Sequence, residues 1–307
     1  MVKHFLYLLI ASMLLVSCSG FNGNTQAADI TTPPPPASTA VPTEPLAETP
    51  TGTLTATATQ TPTATQVPTA TLVPTATWAV VGPGEVIAPI LLYHHIDPEQ
   101  TTPRYNVLPE VFAAQMQALE DWGYTTITAV QLIQAITEGG PLPPRPVVIT
   151  FDDGHFSVFE NAFPIMQEHG FVGVSYIVAN RLKSYGFTGV PQLEEMIGAG
   201  WEVGSHSYTH SDLTLDHSIA FTEIFVSRDT LTQSLSQPVK TFAYPFGTFD
   251  QYLGDRTRKW GYSGAMGLGP GYTHTLNSIY YLQRIEVQGT YDMEKFASLL
   301  PWSSPVE

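Results

Sequence analysis

Apolar and polar positions follow a regular order over residues 88–300. Short apolar runs predict buried strands, while apolar residues spaced three and four apart predict amphipathic helices. The predicted strands are 88–93, 124–128, 147–151, 172–178, 202–205, 240–244, 263–266 and 281–287. The predicted helices are 109–122, 130–137, 161–169, 192–199, 218–235, 255–260 and 292–300. This alternation predicts an α/β fold in which a parallel sheet, covered by helices, closes into a barrel or partial barrel.

The N-terminal part of the chain does not follow this pattern. Residues 1–17 place Lys3 before a short apolar run, as in a secretory signal peptide, and the run is too short for an ordinary membrane-spanning helix. The sequence LVSC at residues 15–18 resembles a bacterial lipobox. We therefore expect lipidation of Cys18, and an exported protein that is lipid-anchored at the cell membrane and faces the extracellular or the periplasmic side. An ordinary signal peptide with an incidental cysteine is the alternative.

The segment that follows is rich in Thr, Pro and Ala. Its frequent prolines remove backbone donors, and it has few large apolar side chains with which to build a core. Residues 18–84 are therefore predicted to be a lipidated N-terminus and a disordered linker. The catalytic domain is predicted to span residues 85–302.

Charge and cysteine content exclude some functions. The net charge is −15, from 12 basic and 27 acidic residues, which argues against binding to nucleic acids or to anionic membrane surfaces. The chain has one cysteine, so no intramolecular disulfide can form. We predict no protein partner.

Several strand ends carry polar residues. Asp152 and Asp153 follow the strand at 147–151, and His206 and His210 follow the strand at 202–205. Active sites in parallel barrels gather at the carboxyl ends of the strands. Two imidazoles four residues apart lie on one face of a helical turn and can bind one zinc ion, and one carboxylate completes an open catalytic site. The other carboxylate could then take a proton from water that the metal activates.

Three motifs in this order resemble those of the NodB-type polysaccharide deacetylases, carbohydrate esterase family 4. They are TFDDG at 150–154, HSYTH at 206–210 and YPFG at 244–247. The segment ILLYHHI at 90–96 looks like the opening of the poly-N-acetylglucosamine deacetylase subgroup. The resemblance covers about residues 86–300 and implies a distorted (β/α) barrel. It also implies removal of N-acetyl groups from N-acetylhexosamine residues of a polysaccharide with one divalent metal ion, Zn²⁺ before Co²⁺ or Ni²⁺.

The resemblance also implies roles for individual residues. Asp152 would be the general base, and the backbone N–H of Tyr244 would help to hold the oxyanion. The metal ligands would be Asp153, His206 and His210.

The sequence departs from the family pattern at two places. Ala243 stands where the family commonly has an arginine that orients the catalytic aspartate; Arg284 is either its replacement or part of a surface salt bridge. The terminal histidine that protonates the leaving amine is also absent. His94 is the first choice for that role, with His95 and His274 as alternatives, although the histidines at 94 and 95 could equally serve only as hydrogen-bonding groups at the barrel mouth.

The leading hypothesis is an anchored, metal-dependent deacetylase that acts on an N-acetylated polysaccharide at the cell surface or outside the cell. A carbohydrate-binding lipoprotein whose catalysis has decayed is one alternative, favoured by the two departures. A glycosidase is another, because its chemistry also uses two carboxylates. Aromatic residues that could stack on sugar rings are Tyr208, Phe246, Trp260 and Tyr272.

Overall fold

The fold is built on one parallel sheet with helices packed against it. The computed structural model describes residues 77–99 and 101–305. The predicted signal peptide, the lipidation site Cys18 and most of the predicted linker lie outside these described residues. Within the described ranges, every helix is too short or too polar to cross a bilayer.

Short strands and helices alternate along the described chain. The strands are β1 (Ala79–Val81), β2 (Val86–Ile87), β3 (Ile90–Tyr93), β4 (His95–Ile96), β5 (Asn106–Val107), β6 (Thr125–Thr126), β7 (Gly140–Leu142), β8 (Pro146–Phe151), β9 (Val174–Ile177), β10 (Glu202–Ser205), β11 (Thr241–Ala243), β12 (Gly264–Met266), β13 (Thr273–His274) and β14 (Ile285–Glu286). The α-helices are α1 (Pro109–Asp121), α2 (Ala129–Thr137), α3 (Phe163–Glu168), α4 (Val190–Gly198), α5 (Ser227–Leu235), α6 (Gln251–Lys259) and α7 (Met293–Ser298).

The central sheet has the strand order β12-β11-β10-β9-β8-β3-β14, with β6 also paired to β8. All of these pairs are parallel, so the carboxyl ends of the strands lie along one edge. Two antiparallel pairs, β1 with β7 and β13 with β2, lie outside the central sheet. The predicted α/β fold, a distorted barrel built on a parallel sheet, is confirmed.

Apolar side chains bury both faces of the sheet. In β8, Val147, Ile149 and Phe151 belong to a large core that includes residues of α1, α3, α4 and α5. Val148 belongs to a second core on the opposite face, which includes residues of α2. Both faces are covered, which fits a strand that is apolar at every position except Thr150 rather than alternating.

The structure differs from the sequence prediction in several segments: β4, β5, β7 and β13 were not predicted, and the strand predicted at 281–287 is limited to β14. Strand β1 falls inside the segment predicted as linker, and it pairs with residues 140–142. The segment predicted as a helix at residues 218–235 is helical throughout but is not a regular α-helix: a 3₁₀ turn and a π-helical segment, Phe221–Val226, precede α5. At this irregularity the Ser227 hydroxyl donates to the carbonyl oxygen of Glu223 at 2.7 Å, a side-chain bond of the kind that bends helices.

We predict that Gly204→Ala destabilises the fold. A Cβ at Gly204, in β10, would lie 2.3 Å from the Tyr176 ring and 2.9 Å from the Thr241 hydroxyl. Overpacking of this kind costs about 1–3 kcal/mol. Urea denaturation should show this loss in the free energy of unfolding. The matched control is Gly198→Ala at the end of α4, where a Cβ has no atom within 4 Å. Equal stabilities for the two variants would contradict the prediction.

Candidate active site

The Asp152–Asp153 pair lies in a left-handed turn at the carboxyl end of β8. The φ angles are 71° at Asp153 and 77° at Gly154. A left-handed conformation costs a non-glycine residue about 1–2 kcal/mol. Gly154 is required because a Cβ there would lie 2.9 Å from Ile177. The turn gives the neighbouring carboxylates different partners.

Asp152 is held by a buried guanidinium. Nη1 of Arg284 donates to Oδ1 of Asp152 at 2.6 Å, and Nη2 donates to Oδ2 at 2.7 Å. The side chains of Arg284 and Asp152 are only 1% and 3% exposed, so the alternative of a surface salt bridge is wrong. Burial alone would raise the pKa of Asp152, but attraction by Arg284 and by His206 lowers it below its usual value. Asp152 is therefore a fixed, ionised carboxylate.

Asp153 faces the two histidines. One ligand atom each from Asp153, His206 and His210 lies within 4.8 Å of the others, and His210 Nε2 is 3.3 Å from Asp153 Oδ1. That oxygen is buried and has no hydrogen-bond partner among the described residues. Burial would raise the pKa of Asp153, but the imidazoles of His155, His206 and His210 outweigh it and hold the pKa well below its usual value.

The second contact of each imidazole decides which nitrogen faces the carboxylate. His206 Nδ1 lies 2.8 Å from the carbonyl oxygen of Ala243, which makes Nδ1–H the donor. Its Nε2 then faces the acid pair, 3.5 Å from Oδ2 of Asp152 and 3.9 Å from Oδ1 of Asp153. Burial, followed by the charge of His206, lowers the pKa of His210, so its neutral form is favoured. One carboxylate oxygen without a hydrogen-bond partner and two imidazoles form a donor set that fits a divalent ion such as zinc.

The segment 206–210 is not the helical turn that the sequence predicted. Ser207 and His210 both have a φ of 68°, and the Ser207 hydroxyl accepts a hydrogen bond from the His210 N–H at 2.8 Å. Buried Glu223 accepts from the N–H groups of Tyr208 and Thr209 at 3.0 and 2.9 Å. The two imidazoles therefore meet through a strained turn. Sequence reasoning missed Glu223 because it lies in an otherwise ordinary amphipathic segment.

These groups surround a cavity of about 480 Å³, which we call the central cavity. Both aspartates of the turn and both histidines line it. The other lining residues are Leu92, His94, His95, Thr102, Arg104, Tyr105, Phe246, Gly247, Leu268, Arg284 and Glu286.

Comparison with known proteins gives a consistent result. Residues 139–265 match the family model described as polysaccharide deacetylase. The chain carries a polysaccharide deacetylase domain. The predicted family and enzyme class are thereby confirmed.

Individual relatives extend the match beyond the family model. YxkH of Bacillus subtilis is 26% identical over 200 residues, covering 65% of this chain and 71% of that protein. The poly-beta-1,6-N-acetyl-D-glucosamine N-deacetylase of Staphylococcus epidermidis is 27% identical over 158 residues, covering 47% of this chain and 54% of that protein. The crystal structure of BC0361, a polysaccharide deacetylase from Bacillus cereus, has 29% identity and a TM-score of 0.63, covering 70% of this chain and 69% of that one.

In this deacetylase domain, the prediction that the Tyr244 N–H helps to hold the oxyanion is wrong. The Tyr244 N–H donates to the Met266 carbonyl oxygen at 3.1 Å, which continues the pairing of β11 with β12. A 3₁₀ turn, Pro245–Gly247, follows, and its hydrogen bonds begin at the Gly247 and Thr248 N–H groups. The Phe246 N–H thus makes no hydrogen bond within the described residues, and Phe246 has a φ of 59° and lines the central cavity.

The three histidines considered for protonation of the leaving group lie in different environments. His94 lines the central cavity, and burial lowers its pKa despite the neighbouring Asp152 and Asp153. His95 also lines this cavity but stacks on His155 with ring centroids 3.6 Å apart. His274 is buried in β13 with its Nε2 3.0 Å from the Ala88 carbonyl oxygen, and it does not line the central cavity. The geometry argues against His274 and leaves His94 and His95 as candidates.

Of the four aromatic residues proposed for sugar stacking, Phe246 lines the central cavity of the deacetylase domain and is 59% exposed. Tyr208, Trp260 and Tyr272 do not line it. Trp260 packs against Phe221 at 5.8 Å between ring centroids. Sequence reasoning missed Tyr105, whose ring lies 4.9 Å from the His94 ring on the cavity wall.

We predict that Arg284→Gln lowers the free energy of unfolding by about 3–5 kcal/mol, because it leaves Asp152 buried and unpaired. The double variant Arg284→Gln with Asp152→Asn should lose less free energy of unfolding than the sum of the losses in the two single variants. Urea denaturation of the three variants measures both quantities.

Arg104→Gln is the matched control for this cycle. Arg104 also bonds a carboxylate, that of Glu286, at 3.0 Å, but its side chain is 59% exposed. Its loss should cost at most about 1 kcal/mol. Equal costs at the two arginines, or additive losses at Arg284 and Asp152, would contradict the prediction.

Proposed function

We propose that this chain uses one divalent metal ion to hydrolyse N-acetyl groups of N-acetylhexosamine residues in a cell-surface or extracellular polysaccharide. One observation carries the proposal. Arg284 fixes an ionised Asp152 beside a second carboxylate, Asp153, that faces two imidazoles across an open cavity. The staphylococcal relative, which is named for an N-acetylglucosamine polymer, supports this substrate class.

Asp153, His206 and His210 would hold the metal. Oδ1 of Asp153, which makes no hydrogen bond among the described residues, and the orientation of His206 suit this role. When bound, a divalent ion supplies Lewis acidity, which polarises the acetamide carbonyl group and makes water more acidic. We favour zinc, with cobalt or nickel as alternatives, because imidazole and carboxylate ligands suit all three.

The remaining residues have separate tasks. Asp152 accepts the proton of the attacking water, while the two hydrogen bonds from Arg284 keep its carboxylate in one orientation. The Phe246 N–H donates to the carbonyl oxygen of the substrate as that oxygen gains negative charge. His94, in its protonated form, gives a proton to the leaving amine from the cavity wall, and the proton that Asp152 took from water then restores the protonated form of His94.

The structure weakens the alternative of a decayed, carbohydrate-binding protein. That alternative rested in part on the missing arginine at position 243, and Arg284 supplies a guanidinium to Asp152 from another strand. The second alternative, a glycosidase, needs two acids that flank a glycosidic bond. Here Arg284 binds one acid, while the other faces the histidine pair.

We also propose that the chain is exported and lipid-anchored at Cys18. An enzyme tethered by a long Thr/Pro-rich segment stays near a surface-bound polymer, which raises the effective concentration of its substrate. The sequence of residues 1–84 supports this location.

We predict that Asp152→Asn lowers acetate release by about 10²–10⁴-fold, because the variant loses the base but keeps the side-chain shape. The assay uses metal-loaded protein and N-acetylglucosamine oligomers, with mass spectrometry to show free amines on chains of unchanged length. Shortened chains would instead indicate glycoside cleavage.

The matched control is Asp255→Asn, on the exposed face of α6, which should retain full activity. Metal content should be the same in the wild type and both variants. Acetate release by Asp152→Asn at the wild-type rate would contradict the proposed base.

We predict one bound divalent ion per chain, and its loss in either His206→Ala or His210→Ala, because each change removes one of the three ligand atoms. Metal analysis after dialysis measures this directly. His169→Ala is the control, since His169 contacts Glu120 and does not line the central cavity. Retention of the ion in both site variants would rule out this ligand set.

A further inference from the structure

A second cavity, of about 730 Å³, lies beside the central cavity. We call it the side cavity. His95 lines both, so the two share a wall. The side cavity is bounded by residues near β4, by residues 155–160 after the Asp152–Asp153 turn, and by the loop 184–187. A polymer with one sugar in the central cavity has room to place a neighbouring sugar here.

One wall of the side cavity consists of stacked rings. His155 lies between His95, at 3.6 Å, and Phe187, at 4.8 Å between ring centroids. The Phe156 N–H donates to the Gly186 carbonyl oxygen at 2.9 Å, which ties the loop to this wall. Tyr185 on the same loop is fully exposed. The Arg181 guanidinium lies over the Phe187 ring, 4.9 Å from its centroid, so other groups cover the faces of these rings. The wall is thus a fixed apolar surface with an exposed tyrosine at its rim, which suits contact with a sugar ring.

The side cavity differs from the central cavity in charge. Its lining includes the carboxylates of Asp97 and Glu160 and no Lys or Arg among the described residues. In the central cavity, by contrast, Arg284 pairs with Asp152, and Arg104 pairs with Glu286. Glu160 forms no ion pair within the described ranges. The carboxylates of Asp97 and Glu160 are therefore not neutralised by an ion pair among the described residues; the nearest guanidinium identified at this wall, that of Arg181, lies over the Phe187 ring.

Ser157 gives independent evidence for a ligand. Its side chain lines the side cavity, the residue is only 8% exposed, and its hydroxyl has no hydrogen-bond partner among the described residues. Buried hydroxyl groups in folded proteins nearly always have a partner. A hydroxyl or amine of a bound sugar would provide one.

We propose that the side cavity binds a neighbouring hexosamine that has already lost its acetyl group. Its ammonium group would lie near Asp97 and Glu160, its ring against the stacked wall, and a polar group at Ser157. This inference rests on the proposed function, because deacetylation itself produces that amine. The enzyme then acts preferentially beside residues that are already deacetylated, so free amines accumulate in runs along the polymer.

The test uses three β-1,6-linked glucosamine trimers. One is fully acetylated, and the other two carry a free amine on one or the other neighbour of an acetylated central residue. At low salt, we expect the wild-type kcat/KM for the central residue to be about fivefold higher for one of the mixed trimers than for the fully acetylated trimer. A factor of this size corresponds to a single, partly exposed charge pair. The preference should shrink as salt rises.

Variants of Glu160 connect the preference to the side cavity. Glu160→Gln should bring the ratio of the two kcat/KM values toward one, and Glu160→Lys should bring it below one. The matched control is Glu168→Gln, an exposed acid at the end of α3 outside both cavities, which should leave the ratio unchanged. Equal kcat/KM values for all three trimers, or a preference that persists in both Glu160 variants, would overturn the inference.

The fully acetylated trimer separates this inference from the proposed function. If the wild type releases acetate from it without any preference among the trimers, the side-cavity inference alone fails. If it releases none from any trimer, the proposed function fails, and binding of the fully deacetylated trimer is then measured by calorimetric titration. Weaker binding by Glu160→Lys than by Glu168→Gln would support the side cavity as an amine site; equal binding would overturn it.

Discussion

The buried bond between Arg284 and Asp152 is the interaction on which the rest of the site depends. Two opposite charges in a nearly solvent-free position are tolerated only when each satisfies the other, since removal of either leaves an uncompensated buried charge. The partners lie 132 residues apart, next to β14 and β8, with β3 between these strands in the sheet. The aspartate is therefore fixed only when the C-terminal part of the sheet has joined it. The site is therefore completed together with the sheet.

Backbone strain is concentrated around the same groups. Five non-glycine residues among those described have positive φ, and Asp153, Ser207, His210 and Phe246 all line the central cavity or adjoin residues that do. The fifth, Ser236, ends α5. Each such residue costs of order 1–3 kcal/mol and persists only where its surroundings impose it. In the turn that carries the two imidazoles, hydrogen bonds to Glu223 and to the Ser207 hydroxyl impose this conformation.

The sequence predicted the parts of the site that depend on residue type at strand ends. Asp152 and Asp153 follow one predicted strand, His206 and His210 follow another, and parallel strands bring their carboxyl ends to one edge. The role of Arg284 stayed open because its contact is long-range. The choice of Tyr244 as the oxyanion donor failed because no residue pattern marks where the pairing of two strands ends. The N–H of Tyr244 still takes part in this pairing, and the first N–H without a partner is two residues later.

The other differences have the same origin. The sequence suggested that His274, in a loop, was available to protonate the leaving group. In the structure His274 lies in β13, which pairs with β2, and its ring bonds the backbone. The histidines at 206 and 210 converge through a left-handed turn instead of a helix, because Gly204 and Ser205 are still in the strand and Glu223 then captures the next free N–H groups. Such contacts are made by residues distant in the chain, and local patterns do not encode them.

His155 joins the two cavities physically. Its Nε2 lies 3.7 Å from Oδ2 of Asp153, the carboxylate that we assign to the metal, and its ring stacks on His95 in the wall of the side cavity. A sugar in the side cavity would therefore rest against a side chain that also contacts the carboxylate beside the reacting sugar. This wall determines which sugar of the polymer lies in which cavity. The acetylated sugar lies in the central cavity, on the Asp153 side, where the charges are paired. The sugar with the free amine lies in the side cavity, where the carboxylates of Asp97 and Glu160 are not neutralised.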